Sequence, residues 1–89
     1  MKKYDMLEKV IKLFNNCEIH ADMKNTFSET FRFYETSSQN LLGEVCISQY
    51  FDSGDGRIEA FGQTRNLNPF ELQLLRGIIS ANHQRILYF

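Results

Sequence analysis

The spacing of apolar residues changes twice along the chain, from a helical period to a strand period and back to a helical one. Near the start, Leu7, Val10 and Phe14 lie three and four positions apart, which predicts an amphipathic helix over residues 5–14. The middle of the chain instead alternates apolar and polar side chains, which is typical of half-buried strands. The three alternating runs cover residues 27–35, 45–51 and 57–64.

A second helix is predicted to begin at Asn68. Asn68 can accept a hydrogen bond from a free backbone N–H, Pro69 suits the first helical position, and Glu71 can reach back to complete a capping box. An apolar stripe follows, formed by Leu72, Leu75 and Ile79, before Asn82 and His83 end the helix. The expected fold is α+β in the order α-β-β-β-α, with a three-stranded antiparallel sheet packed against two helices.

The segments between these elements have their own signals. Residues 52–56 read Asp-Ser-Gly-Asp-Gly, which predicts a hairpin turn between the second and third strands, whereas residues 19–25 and 36–40 are interpreted as connectors. Gly62 predicts a bulge or a close backbone approach inside the third strand, and Gly77 a close approach on the second helix. The apolar tail, residues 86–89, is expected to be a fourth strand, a docked tail or an oligomer contact.

Composition limits the classes of protein to consider. Hydrophobic residues make up 43% of the 89 residues and charged ones 24%, as in a globular protein with a single domain over residues 1–89. A formal net charge of -1 gives no overall field to attract nucleic acid or an anionic membrane. Only two cysteines are present, and no targeting segment or membrane-spanning run is visible. The sequence therefore predicts a cytoplasmic protein without a membrane partner.

The candidate metal and catalytic motifs in the sequence have simpler interpretations. A zinc site could use Cys17, His20, Cys46 and His83, but only the first two have the spacing of ligands, which favours ordinary thiols and surface histidines. A calcium loop over the turn would need ligands at Phe51 and Ser53 and a closing glutamate at Gly62. The sequence contains no nucleophile elbow and no glycine-rich phosphate loop. We therefore expect no cofactor, no metal and no enzymatic activity.

Aromatic residues are the unusual part of the composition, with eight Phe, four Tyr and no Trp. The alternation predicts one set of side chains facing the helices, namely Phe31, Phe33, Val45, Ile47, Phe51, Ile58 and Ala60. The other face would then carry Arg32, Tyr34, Tyr50, Arg57 and Phe61. Tyrosine, phenylalanine and arginine are enriched at protein contacts, but such a face can also stack unpaired bases. Alternatively, these rings meet the C-terminal tail or a second copy of the chain.

Two family resemblances bear on these alternatives. The predicted order resembles that of double-stranded-RNA-binding domains, but here the second helix opens with Asn68-Pro69-Phe70-Glu71-Leu72 in place of the lysine cluster of that family. This resemblance implies a shared fold without that RNA-binding mode.

Within residues 45–79, a second resemblance is to the final strands and helix of positive-cofactor-four-type coactivators, which implies single-stranded DNA binding by a dimer. The matching residues are Ile47, Tyr50-Phe51-Asp52, Gly56, Ile58 and Leu67-Asn68-Pro69. Ser48-Gln49 replaces the arginine of that family, and Arg65 alone remains of its basic stretch.

The sequence as a whole predicts a small non-enzymatic protein-interaction module, an adaptor, regulator or inhibitor that forms a homodimer. Its size and composition are typical of the accessory proteins of phages and mobile elements. The predicted anchors are Tyr34, Tyr50 and Phe61 on the sheet with Tyr88 and Phe89 in the tail, and the orienting residues are Arg32 and Arg57. The alternative is a single-stranded nucleic-acid-binding domain, with the same rings stacking on bases and Arg32, Arg57 and Arg65 meeting phosphates.

Overall fold

The computed structural model describes residues 5–22, 28–48 and 55–88. Its two helices are Asp5–Asn16 (α1) and Pro69–Ala81 (α2). The strands are Glu18–Asp22 (β1), Ser28–Tyr34 (β2), Leu41–Ser48 (β3), Gly56–Ala60 (β4), Gln63–Asn66 (β5) and Ile86–Tyr88 (β6). A short 3-10 turn, His83–Arg85, connects α2 to β6.

The described strands form one mixed sheet in the order β5-β4-β3-β2-β1-β6. Neighbouring strands are antiparallel except for β6, which runs parallel to β1. The predicted α+β class is confirmed, but the predicted three-stranded sheet is an undercount because the structure has six strands.

Strand β1 lies where a connector was predicted. It pairs with β2 in a register that sets His20 beside Arg32, and Ile19 and Ala21 are its buried residues. A strand of five residues with only two apolar side chains gives little periodic signal. Pairing on both edges, with β2 and with β6, holds it in the sheet.

The predicted strand over residues 57–64 is in fact two strands. Phe61 and Gly62 have φ angles of 53° and 74°, the pair of positive values that a two-residue type I′ hairpin requires. Ala60 pairs with Gln63 across this turn. Gly62 therefore supplies a turn and not the predicted bulge.

The C-terminal tail is an additional strand, as one of its three interpretations predicted. Ile86 in β6 pairs with Ile19 and is buried in the chain's own core. A truncation that removes Ile86 would therefore remove part of the core and would not isolate an oligomer contact. Phe89 lies outside the described residues.

Both helices pack on one face of the sheet. The predicted amphipathic stripe of α1 is confirmed, since Leu7, Val10 and Phe14 are buried. Phe14 meets Phe33 of β2 edge-to-face, with the ring centroids 4.9 Å apart. The predicted helix-facing side chains are likewise buried, namely Phe31, Phe33, Val45, Ile47, Ile58 and Ala60, whereas Phe51 lies outside the described residues.

Helix α2 begins with the predicted capping box. The Asn68 side chain accepts from the Glu71 backbone N–H at 2.8 Å, and the Glu71 carboxylate accepts from the Asn68 backbone N–H at 3.1 Å. The close approach predicted at Gly77 is wrong, because a Cβ added there would meet no atom within 4 Å. Neither described helix is long and apolar enough to cross a membrane.

Candidate interaction surface

The sheet face opposite the helices is here called the open face. Its side chains alternate in each strand with the buried ones, and the strand pairing aligns them across the sheet. Its described residues are Leu87 of β6; Glu18, His20 and Asp22 of β1; Ser28, Thr30, Arg32 and Tyr34 of β2; Glu44, Cys46 and Ser48 of β3; Arg57 and Glu59 of β4; and Thr64 and Asn66 of β5. Both described helices lie on the other side, so they leave this face uncovered.

Two neighbouring rows of paired residues cross the middle of the open face. The first row runs through His20, Arg32, Glu44 and Glu59, and the second through Asp22, Thr30, Cys46 and Arg57. Both rows contain charges of each sign, and the acidic and basic positions fall on different strands.

Arg32 lies between two carboxylates near the centre of this face. Its Nε is 3.5 Å from Glu44 Oε2, and its Nη1 is 4.0 Å from Asp22 Oδ2. The Arg32 side chain is 36% exposed, so these ion pairs are screened by water and contribute little stability by themselves. Their effect is to neutralise the guanidinium within its own chain.

One corner of the open face is an aromatic and polar cluster. His20 Nε2 lies 2.6 Å from Glu18 Oε1, and Gln39 donates to the other oxygen of Glu18 at 3.1 Å. The His20 and Tyr34 rings pack with their centroids 4.6 Å apart. The hydrogen bonds from His20 and Gln39 hold the pKa of the Glu18 carboxyl below its ordinary value. The cluster therefore fixes the Tyr34 ring beside a carboxylate that stays charged at neutral pH.

The structure brings only some of the predicted partner-binding residues together. Arg32, Tyr34 and Arg57 lie on the open face, as predicted. Phe61 does not: it occupies the hairpin turn, where the alternation ends, and Lys9 Nζ of α1 lies 5.5 Å from the centroid of its ring.

Tyr88 also lies away from the open face. It pairs with Ala21 on the helix-covered side, and its hydroxyl is 2.9 Å from His83 Nδ1. Tyr50 and Phe89 lie outside the described residues.

Arg65, a predicted phosphate contact of the alternative function, is an internal ion-pair partner. It lies on the helix-covered side and forms a bidentate pair with Glu71, with distances of 2.8 and 2.6 Å. The Glu71 side chain is 1% exposed, so the guanidinium compensates a buried charge.

Several exposed residues were not predicted from the sequence. Glu18 and Asp22 lie on this face because residues 18–22 form β1 and not the predicted connector, and His20, predicted only as a surface histidine, lies between them; the Glu-Ile-His-Ala-Asp alternation is the signal in the sequence. Leu87 joins them on the open face through β6. On α2, Phe70 and Leu74 are also exposed, at 68% and 40%.

The candidate zinc ligands are not assembled. Cys17 is buried and donates from Sγ to the Leu13 carbonyl at 2.6 Å, whereas His20 and Cys46 lie on the open face and His83 contacts Tyr88. Within the described ranges, no group of three side chains is placed to hold a metal ion. The calcium-loop residues Phe51 and Ser53 lie outside those ranges.

Comparisons with protein-family models, with curated proteins and with solved structures found no match to the chain. The resemblance of residues 45–79 to positive-cofactor-four-type coactivators stays a prediction. The resemblance to double-stranded-RNA-binding domains was based on the α-β-β-β-α order. The described order differs from it, because β1, β5 and β6 are additional strands.

Proposed function

We propose that the protein is a small non-enzymatic protein-interaction module that self-associates and uses the open face as its contact surface. The observation that carries this proposal is a six-stranded sheet whose second face is left uncovered by the helices and mixes Tyr34 and Leu87 with charges of both signs. Tyrosine and arginine are enriched at protein contacts, and a polar surface of mixed charge suits a partner that dissociates.

The charges favour a protein partner over single-stranded nucleic acid. The described residues of the open face include four carboxylates, Glu18, Asp22, Glu44 and Glu59, against two arginines, Arg32 and Arg57. A surface that neutralises phosphates needs the opposite balance. Of the three arginines considered for phosphate contacts, Arg32 is paired with two carboxylates and Arg65 with Glu71.

The non-enzymatic role is part of the proposal and rests on the sequence, which contains no nucleophile elbow and no glycine-rich phosphate loop. A cytoplasmic location belongs to the same proposal, since Cys17 and Cys46 are both free thiols. The role of a phage or mobile-element accessory protein remains a prediction from size and composition.

Light scattering combined with an oligonucleotide titration separates the two functions. We expect a mass of twice 10.5 kDa and no salt-sensitive binding of a labelled mixed-sequence single-stranded DNA, measured by fluorescence anisotropy at low and high salt. Micromolar binding that collapses with added salt would instead support the nucleic-acid function. A matched variant, Arg57→Gln, should then weaken DNA binding and reduce its dependence on salt.

A further inference from the structure

We infer that the partner of the open face is a second copy of the chain, stacked face to face about a two-fold axis that runs parallel to the strands between β2 and β3. This inference rests on the proposed function and specifies the surface and the register of the contact. The charges in the two central rows of the open face occupy positions that complement those of a second copy.

Rotation by 180° about such an axis leaves each residue at the same position along the strand direction. It places each half of the sheet over the other half of the second copy. Strand β2 then lies over β3 of the second copy, β1 over β4, and β6 over β5. Stacked sheets lie about 10 Å apart with their strands within roughly 30° of each other, so residues near the axis stay opposite one another.

This arrangement sets opposite charges against each other in both rows. In the first row, Arg32 lies over Glu44 of the second copy; the imidazole of His20 lies over Glu59 and is not counted as a charge. In the second row, Asp22 lies over Arg57 of the second copy. Each pair occurs twice by symmetry, and neither row sets like charges opposite each other.

Other axes parallel to the strands lose this complementarity. An axis moved by one strand, to between β3 and β4, sets Glu44 over Glu59 of the second copy. An axis along β2 sets Arg32 over itself, and one along β3 does the same for Glu44. Because opposed like charges disfavour association, the charge pattern favours the axis between β2 and β3 among the axes that run parallel to the strands.

Tyr34 of the open face fits the same arrangement. It lies on β2 next to the axis, so a second copy would cover its ring and remove apolar surface from water.

Two charge-reversal variants, measured separately and as a mixture, test this contact. In the Arg32→Glu variant positions 32 and 44 are both acidic, and in the Glu44→Arg variant both are basic. We expect each variant alone to dissociate with a constant at least roughly tenfold higher than that of the parent protein, because attraction across the axis becomes repulsion. An equimolar mixture should form the dimer again, since the acidic centre of one variant meets the basic centre of the other.

Mixing the two variants tests contacts between chains only, because it cannot restore the ion pairs within either variant chain. Masses are measured by light scattering at one protein concentration, and far-UV circular dichroism checks that each variant is folded. Lys12→Glu is the matched control for Arg32→Glu: it makes the same charge change on the exposed side of α1 and should leave the mass unchanged. If Arg32→Glu or Glu44→Arg unfolds, the same test is applied to the second row with a mixture of the Asp22→Lys and Arg57→Glu variants.

The possible outcomes distinguish this contact from the proposed function. A parent protein that is monomeric at all concentrations would contradict self-association itself. A parent dimer whose mass is unchanged in both variants would overturn the face-to-face contact alone, as would two monomeric variants that fail to combine. In those last two cases Leu74→Asp would test the exposed surface of α2 as the contact.

Discussion

Replacing Phe33 with alanine is expected to lower the free energy of unfolding by about 3–5 kcal/mol, the range for truncating a fully buried aromatic side chain. Phe33 lies in β2 near the middle of the sheet and is 0% exposed. The substitution leaves a cavity under α1 and removes the edge-to-face contact with Phe14. Urea denaturation followed by circular dichroism measures the change.

Phe61→Ala is the matched control because it deletes the same atoms from an exposed ring. Phe61 is 46% exposed and contacts Lys9 at the surface, so its truncation should change the free energy of unfolding by less than about 1 kcal/mol. Equal losses in the two variants would contradict the assignment of Phe33 to the core and of Phe61 to the surface.

Replacing Arg65 with methionine is expected to lower the free energy of unfolding by about 2–4 kcal/mol. The substitution removes the guanidinium that makes both bidentate contacts with the buried Glu71 carboxylate. A buried carboxylate that loses its cation is destabilising, although Arg65 is partly exposed and water will compensate some of the loss. Thermal and urea unfolding of the variant measure the effect.

A second substitution tests the physical cause of that loss. In the Arg65→Met background, Glu71→Gln removes the buried charge while an amide oxygen remains to accept from the Asn68 N–H. The double variant should therefore recover most of the lost stability. A double variant less stable than Arg65→Met alone would contradict the interpretation that unpaired charge is the cause.

The elements predicted correctly are those specified by neighbouring residues. The stripe of α1 and the capping box at Asn68 depend on spacings of three and four residues, and both are present. The paired strands β2, β3 and β4 were recognised because alternation over several residues marks a half-buried strand.

The strands that were missed depend on pairing between distant parts of the chain. β6 has three residues and pairs with β1, and Ile19 and Ile86 come together only through that pairing. β5 was merged with β4 because the turn places a large side chain, Phe61, at a positive φ that usually favours glycine or asparagine.

The same limit applies to the candidate surface. Alternation within single strands was sufficient to place Arg32, Tyr34 and Arg57 on one face. The opposition of acidic and basic positions was not visible, because it requires the register of four strands, including β1. The prediction for Phe61 is wrong because the alternation ends at the turn that Phe61 and Gly62 form.

The central claim is that the open face becomes covered when the protein self-associates, and Cys46 reports on it directly. Cys46 lies on β3 beside the inferred axis, whereas burial raises the pKa of the Cys17 thiol and disfavours its reactive thiolate. The measurement is the rate of N-ethylmaleimide labelling at each cysteine, determined by mass spectrometry over a range of protein concentrations. We expect Cys46 to react quickly in dilute protein and progressively more slowly as the mass doubles, while Cys17 stays slow throughout. A Cys46 rate that does not change while the mass doubles would place the contact on another surface and contradict the account.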